Sequence, residues 1–135
     1  MLFNRKLFVM KKILIIDDDK DLLLVLNRLF EKNNYSSRMA ATINEGLELI
    51  EDFLPDIVFL DIHIGESDGR ELSQLIKSET GESSVPIVLI SGDDTQVSPL
   101  NLYGAVEFLA KPFSDNDILR ITKMYTSDVS SSNVI

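Results

Sequence analysis

Short, unbroken apolar runs alternate along the chain with longer stretches in which apolar residues recur every three or four positions. The unbroken runs are Ile13 to Ile16, Ile57 to Leu60 and Ile87 to Ile90. Such a run suits a strand covered on both faces of a parallel sheet. Val106 to Leu109, interrupted by Glu107, predicts the last strand. Tyr35 to Met39 is more polar and predicts a peripheral strand. Asp19 to Asn33 places Leu22, Leu26, Leu29 and Phe30 at helical spacing, with Asp19 able to cap the start and Asn34 a left-handed stop. Thr42 and Glu45 can form a capping box for a helix through about Phe53, with Leu47, Ile50 and Leu54 inward and Pro55 ending it. A loop from Ile62 to Ser67 leads to a helix capped by Asp68, with Leu72, Leu75 and Ile76 inward and Gly81 closing it. Pro99 lies within Asp93 to Tyr103, which predicts a helix that is short, kinked or broken. Ser114 and Asp117 can box the start of a last helix running to about Tyr125.

Five βα units in a row imply an α/β fold: a doubly wound, five-stranded parallel sheet with helices on both faces, of the flavodoxin-like kind. Residues 1–10 read as an N-terminal extension, because Met10 followed by Lys11 and Lys12 looks like a start. Residues 11–125 read as one domain, and 126–135 as a Ser-rich, flexible tail. No internal repeat, second domain or linker is visible.

Composition narrows the function classes. The chain has 135 residues, enough for one ordinary domain with a proper core. It has no cysteine, which excludes disulfides and thiolate metal sites. A net charge of -9 makes it a poor partner for nucleic acid. No apolar run approaches the roughly 18 residues that span a bilayer. The opening MLFNRKLFVM lacks the long apolar core and cleavage site of a signal peptide.

The chemistry gathers at the strand ends. In an open parallel sheet the ligand site lies beyond the carboxyl ends of the strands, where strand order switches. The first strand ends in Asp17, Asp18 and Asp19, the third in Asp61, the fourth in Ser91 and the fifth in Lys111-Pro112. Converging carboxylates repel one another, and a hard divalent cation such as Mg²⁺ or Mn²⁺ relieves that repulsion through oxygen ligands. One lysine and one hydroxyl at the same edge suit a phosphoryl group.

Four segments carry a resemblance to the receiver domains of two-component response regulators: KILIIDDDKD, DIVFLDIHIGESDG, PIVLISG and GAVEFLAKPF. The resemblance covers roughly Lys11 to Tyr125. It implies that Asp61 is the phosphoacceptor and a metal ligand. Asp17 and Asp18 match the acidic pair that organises Mg²⁺ (or Mn²⁺), and the backbone carbonyl of His63 matches the third protein ligand. Ser91 matches the hydroxyl that reaches a phosphoryl oxygen, Lys111 its counter-charge, and Phe108 the aromatic switch position. Pro112 matches a proline whose preceding bond is commonly cis. The implied activity is Mg²⁺-dependent transfer from a phosphohistidine to Asp61. Beyond its own phosphorylation and dephosphorylation, no enzymatic turnover is implied. The implied partners are a histidine kinase or histidine phosphotransfer protein. A downstream effector would read the face of the fourth helix, fifth strand and fifth helix, and dimerisation is open. The implied setting is the bacterial cytoplasm.

Some positions depart from the pattern. The loop after the phosphoacceptor often reads Met-Pro-Gly in the family and here reads Ile64-Gly65-Glu66. Gly65 in place of proline predicts a more flexible loop, and Glu66 adds negative charge. The Ser91–Gly104 stretch is short and contains Pro99, which leaves the output geometry open. His63 and Asp93 flank the site and can alter water access to an acyl phosphate.

Taken singly, each residue has a plainer reading. Asp17 to Asp19 can cap a helix, Asp61 can be a loop carboxylate, Ser91-Gly92 a turn, Lys111-Pro112 a strand exit and Phe108 core. Their coincidence at one sheet edge is what outweighs those readings. Competing functions are a phosphorylation-independent pseudo-receiver, which the intact residue set disfavours, and an aspartate-nucleophile phosphatase, which leaves Asp61 unexplained. A dinucleotide fold fails for want of a glycine-rich turn after the first strand.

Overall fold

The computed structural model describes residues 9–80, 85–92 and 102–127, the side chains of residues 79 and 80 excepted. The expectations placed on residues 1–8, Gly81, most of Asp93 to Tyr103 and the tail beyond residue 127 lie outside the described residues. The strands are β1 (Lys12–Ile16), β2 (Ser36–Ala40), β3 (Ile57–Asp61), β4 (His63–Ile64), β5 (Ser67–Asp68), β6 (Ile87–Ser91) and β7 (Glu107–Ala110). The helices are α1 (Lys20–Lys32), α2 (Ile43–Phe53), α3 (Gly69–Thr80) and α4 (Asp115–Thr126).

Five strands form one parallel sheet in the order β2-β1-β3-β6-β7, the doubly wound architecture that the alternating pattern predicts. The order switches between β1 and β3, so their carboxyl ends flank the crevice where such folds bind ligands. The solid apolar runs are explained by burial on both faces. Ile13, Ile15, Ile57, Phe59, Val88 and Ile90 point to the side packed by α1 and α4. Leu14, Ile16, Val58, Leu60, Ile87 and Leu89 point to the side packed by α2 and α3. Phe30 of α1 is fully buried, stacked on Phe59 at 5.9 Å and edge-on to Tyr35 at 5.8 Å.

The helix starts follow their sequence signals. Asp19 accepts the backbone N–H groups of Asp21 and Leu22, both at 3.1 Å. Thr42 caps α2 by accepting the N–H of Glu45 at 3.1 Å, but the expected box is only half made. The Glu45 carboxylate takes the Thr42 hydroxyl at 3.2 Å, and among the described residues no return bond from it to the Thr42 N–H is seen. Ser114 and Asp117 form a reciprocal capping box. Asn34 takes the left-handed conformation that stops α1, with φ 68°.

In α1 Leu23, Leu26 and Phe30 are buried, and Leu22 and Leu29 of the helical stripe pack against the same core. Two inward assignments are corrected. Leu54 is 65 % exposed, because it is the left-handed C-cap of α2 and turns out of the helix stripe. Leu75 is 46 % exposed. The stripe that α3 buries runs through Gly69, Leu72, Ser73 and Ile76, and Leu75 lies off it. The strand before Lys111 begins at Glu107, with Val106 outside it. The expected loop after β3 contains a small antiparallel hairpin, His63 opposite Asp68 and Ile64 opposite Ser67.

Ser73 is completely buried, and among the described residues its Oγ has no hydrogen-bond partner. A buried hydroxyl without a partner carries a desolvation penalty of about 1 to 3 kcal/mol. Ser73→Ala is therefore expected to leave the fold intact and to be neutral or more stable by about 1 kcal/mol. A urea midpoint well below that of the unmodified chain would contradict this.

Candidate functional site

β1 and β3 deliver their terminal carboxylates to the crevice directly. Asp17 follows Ile16 and is fully buried, its own N–H donating to Ala40 O at 3.0 Å. Asp61 is the last residue of β3 and only 6 % exposed. From the far side Lys111, just after β7, reaches in with its ammonium. Its Nζ donates to Asp17 Oδ2 at 2.8 Å and to Asp61 Oδ2 at 3.2 Å. The Lys111 backbone N–H donates to the Ser91 carbonyl at 2.8 Å, which ties the ends of β6 and β7 together. The Lys111–Pro112 peptide bond is cis.

The backbone also reaches these carboxylates. Asp17 Oδ1 accepts the N–H of Asp19 at 2.9 Å, and Asp61 Oδ1 accepts the N–H of His63 at 3.1 Å. Asp18 is exposed, and its Oδ2 accepts the N–H of Gly65 at 2.7 Å. Asp17, Asp18 and Asp61 each place one carboxylate oxygen within 4.8 Å of the others. Such a donor set fits a hard divalent cation of the Mg²⁺ or Mn²⁺ type; three oxygens converge and no thiolate or imidazole joins them.

The electrostatics record the crowding. Burial, reinforced by the nearby Asp17 charge, pushes the Asp61 carboxyl up to about 6, against the opposing pull of the His63 N–H and Lys111. Burial alone would lower the Lys111 ammonium. The hydrogen bond to Asp17 and the charges of Asp61 and Asp17 outweigh it, so its pKa is raised. At neutral pH the pocket thus holds an Asp61 carboxylate whose charge is disfavoured by its surroundings, beside a firmly charged ammonium.

Of the residues singled out in the sequence, Asp17, Asp18, Asp61 and Lys111 meet at this edge. Ser91 ends β6, next to β3, and is fully buried. The His63 side chain is exposed, and its backbone N–H is the group seen on Asp61. Phe108 is half-buried on the α2–α3 side of β7, opposite Leu89. Asp93 lies outside the described residues.

Three further residues shape the site without having been singled out for it. Gly65 holds Asp18 through its N–H. Gly69 packs its bare Cα against the end of β3, where an added Cβ would overlap the Asp61 carbonyl oxygen. Arg70 forks onto Asp68 at 2.6 Å, holding that carboxyl below its usual range, and lies over the Tyr103 ring at 5.2 Å. The one sequence signal is glycine itself, at a turn and at a helix start after a strand end.

Known proteins resemble this chain in sequence and fold. The family model described as the response regulator receiver domain matches residues 13–123. Sporulation initiation phosphotransferase F of Bacillus subtilis is 31 % identical over 115 residues, covering 85 % of this chain and 93 % of that protein. The nitrogen assimilation regulatory protein NtrX of Azorhizobium caulinodans is 37 % identical over 116 residues, covering 82 % of this chain. The aligned region spans only 25 % of that longer protein. Among solved structures, the receiver domain of NtrX from Brucella abortus superposes with a TM-score of 0.75 at 29 % identity, covering 84 % of this chain and 97 % of that one.

Proposed function

Because the chain belongs to the response regulator receiver domain family, we propose that it is a phosphoacceptor signalling module in which Asp61 takes a phosphoryl group from a phosphohistidine. The donor is a histidine kinase or a histidine phosphotransfer protein. The observation that carries this reading is the Lys111 ammonium bonded to both Asp17 and Asp61, with Asp18 in the same oxygen cluster. A carboxylate nucleophile, a fixed positive charge and a cation-ready donor set are the parts that phosphoryl transfer needs.

In the reaction an Asp61 carboxylate oxygen attacks phosphorus, the P–N bond to the donor imidazole breaks, and an acyl phosphate remains. Asp61 is mostly ionised at neutral pH and so available as nucleophile. Lys111 is already within bonding distance of that carboxylate and offsets charge on the transferred group. Asp17, Asp18 and Asp61, with the carbonyl of His63, would hold Mg²⁺, which supplies further charge neutralisation for the phosphoryl oxygens. The Ser91 hydroxyl then bonds a phosphoryl oxygen, and Phe108 follows it inward. That movement changes the face around β7 and α4, which a partner reads. The receiver unit is residues 11–125 in this reading, and it works in the cytoplasm. No helix among the described residues is long and apolar enough to cross a membrane.

The test is incubation with acetyl phosphate and Mg²⁺, followed by intact-mass measurement. One added phosphoryl group, released by hydroxylamine, is expected. No addition, together with no response to beryllofluoride, would favour the pseudo-receiver. Mg²⁺ at a hundredfold excess over its Kd is expected to stabilise the fold by about 3 kcal/mol, with EDTA reversing the effect. That gain shrinks toward pH 5, where Asp61 holds a proton that the cation must displace. A urea midpoint indifferent to Mg²⁺ at pH 7 would remove the cation from the scheme.

A further inference from the structure

Three carboxylates face one point, and each is gripped by one backbone N–H: Asp17 by Asp19, Asp61 by His63, and Asp18 by Gly65. The three grips are not equivalent. Asp17 and Asp61 are buried and also bonded to Lys111, so packing and charge fix them in any case. Asp18 is exposed, and among the described residues the Gly65 N–H is its one hydrogen-bond donor. A free surface carboxylate samples several rotamers, and fixing one of them opposes ligand binding entropically.

Gly65 is well placed to hold it. It sits in the turn between β4 and β5 with φ 58°, a left-handed conformation natural to glycine. The hairpin is seated by Ile64, which is 4 % exposed, and stiffened by the Asp68–Arg70 pair. The segment expected to be loose is therefore anchored at both sides of the turn. A proline here, as in the resembling loops, has no N–H to give.

We propose that the Gly65 N–H is a positioning group for the cation site: it fixes Asp18 so that its carboxylate joins Asp17 and Asp61 before the cation arrives. This rests on the functional reading above. Gly65 touches no reacting atom and acts only through Asp18.

The test uses the full chain and Mg²⁺ alone, titrated by calorimetry. Gly65→Pro removes the donor and, since proline cannot adopt φ 58°, also reshapes the turn. It is expected to weaken Mg²⁺ binding about tenfold, with the amide-exchange comparison in Asp18→Ala isolating the hydrogen bond itself. Gly65→Asn keeps the N–H and tolerates the left-handed turn, and is expected to bind within about twofold of wild type. In the cation-free protein, the Gly65 amide is expected to exchange slowly with solvent and to speed up in Asp18→Ala. Undiminished Mg²⁺ affinity in Gly65→Pro overturns the proposal, as does an equal loss in Gly65→Asn or a Gly65 amide indifferent to Asp18→Ala. A wild-type chain that takes up no Mg²⁺ overturns the functional reading and this proposal with it. A wild type that binds normally beside an unaffected Gly65→Pro overturns this proposal alone.

Discussion

Asp61→Asn is expected to accept no phosphoryl group from acetyl phosphate and, at pH 7 without divalent cations, to be more stable than the unmodified chain by about 1 to 3 kcal/mol, the lower end allowing for solvent screening. Both effects come from one atom. The amide has no nucleophilic oxygen anion, so the acyl phosphate cannot form. The amide is also neutral, so it escapes the burial and the Asp17 repulsion that push the Asp61 carboxyl up to about 6. Asn still has an oxygen for the His63 N–H, and Lys111 keeps Asp17 at 2.8 Å.

The pH dependence has a definite sign. The folded pKa of about 6 lies above the ordinary 3.8, so between these values the fold holds a proton that the unfolded chain has lost. Stability contributed by this group therefore falls as pH rises through that window. The advantage of Asp61→Asn should be near zero below about pH 4 and complete above about pH 6. Paired urea denaturations across pH 4 to 7 measure it. Equal phosphorylation of both proteins would falsify the role of Asp61. A stability difference that stays flat with pH would refute the electrostatic account and leave the nucleophile in place.

The second large effect belongs to Gly69. A methyl group on its Cα would overlap Asp61 O and press on Asp61 C at 3.1 Å and Ile62 Cα at 3.2 Å, all of them backbone atoms. No rotamer relieves that overlap. Either the end of β3 or the start of α3 must move, breaking the 2.7 Å bond from the Gly69 N–H to Ile62 O. Gly69→Ala is expected to lose about 3 kcal/mol or more, and to slow phosphorylation because Asp61 moves with its backbone. Gly92 is the control, since among the described residues a Cβ there meets nothing within 4 Å. Gly92→Ala should change the urea midpoint little. Equal midpoints for the two variants would mean that the close approach at Gly69 has no energetic consequence.

Much of this was legible in the sequence because the signals were local. A strand buried on both faces must be apolar throughout, so β1, β3 and β6 announced themselves as runs. The caps at Asp19, Thr42 and Ser114 act within three residues. Asp17, Asp18, Asp61 and Lys111 stand at strand ends, and a parallel sheet brings strand ends together whatever the loops do. The misreadings were of two kinds. Leu54 and Leu75 carry apolar side chains one position off the inner stripe, and hydropathy alone does not say which neighbour faces in. The Gly65–Asp18 and Gly69–Asp61 contacts depend on how a hairpin folds back over a strand end. No periodicity along the chain encodes that.

The sealed central strands have one more consequence. Ile13 to Ile16, Ile57 to Leu60 and Val88 to Ile90 have no exposed surface at all. Backbone amides in such strands meet solvent only when most of the domain opens. The carboxylate of Asp61 and the hydroxyl of Ser91 are therefore mounted on the part of the molecule that breathes least. Any rearrangement that signals occupancy has to be carried by side chains and by the rim, where β7 has one buried residue in four. In the proposed mechanism the centre serves as an anvil, and the message is shaped at the edge.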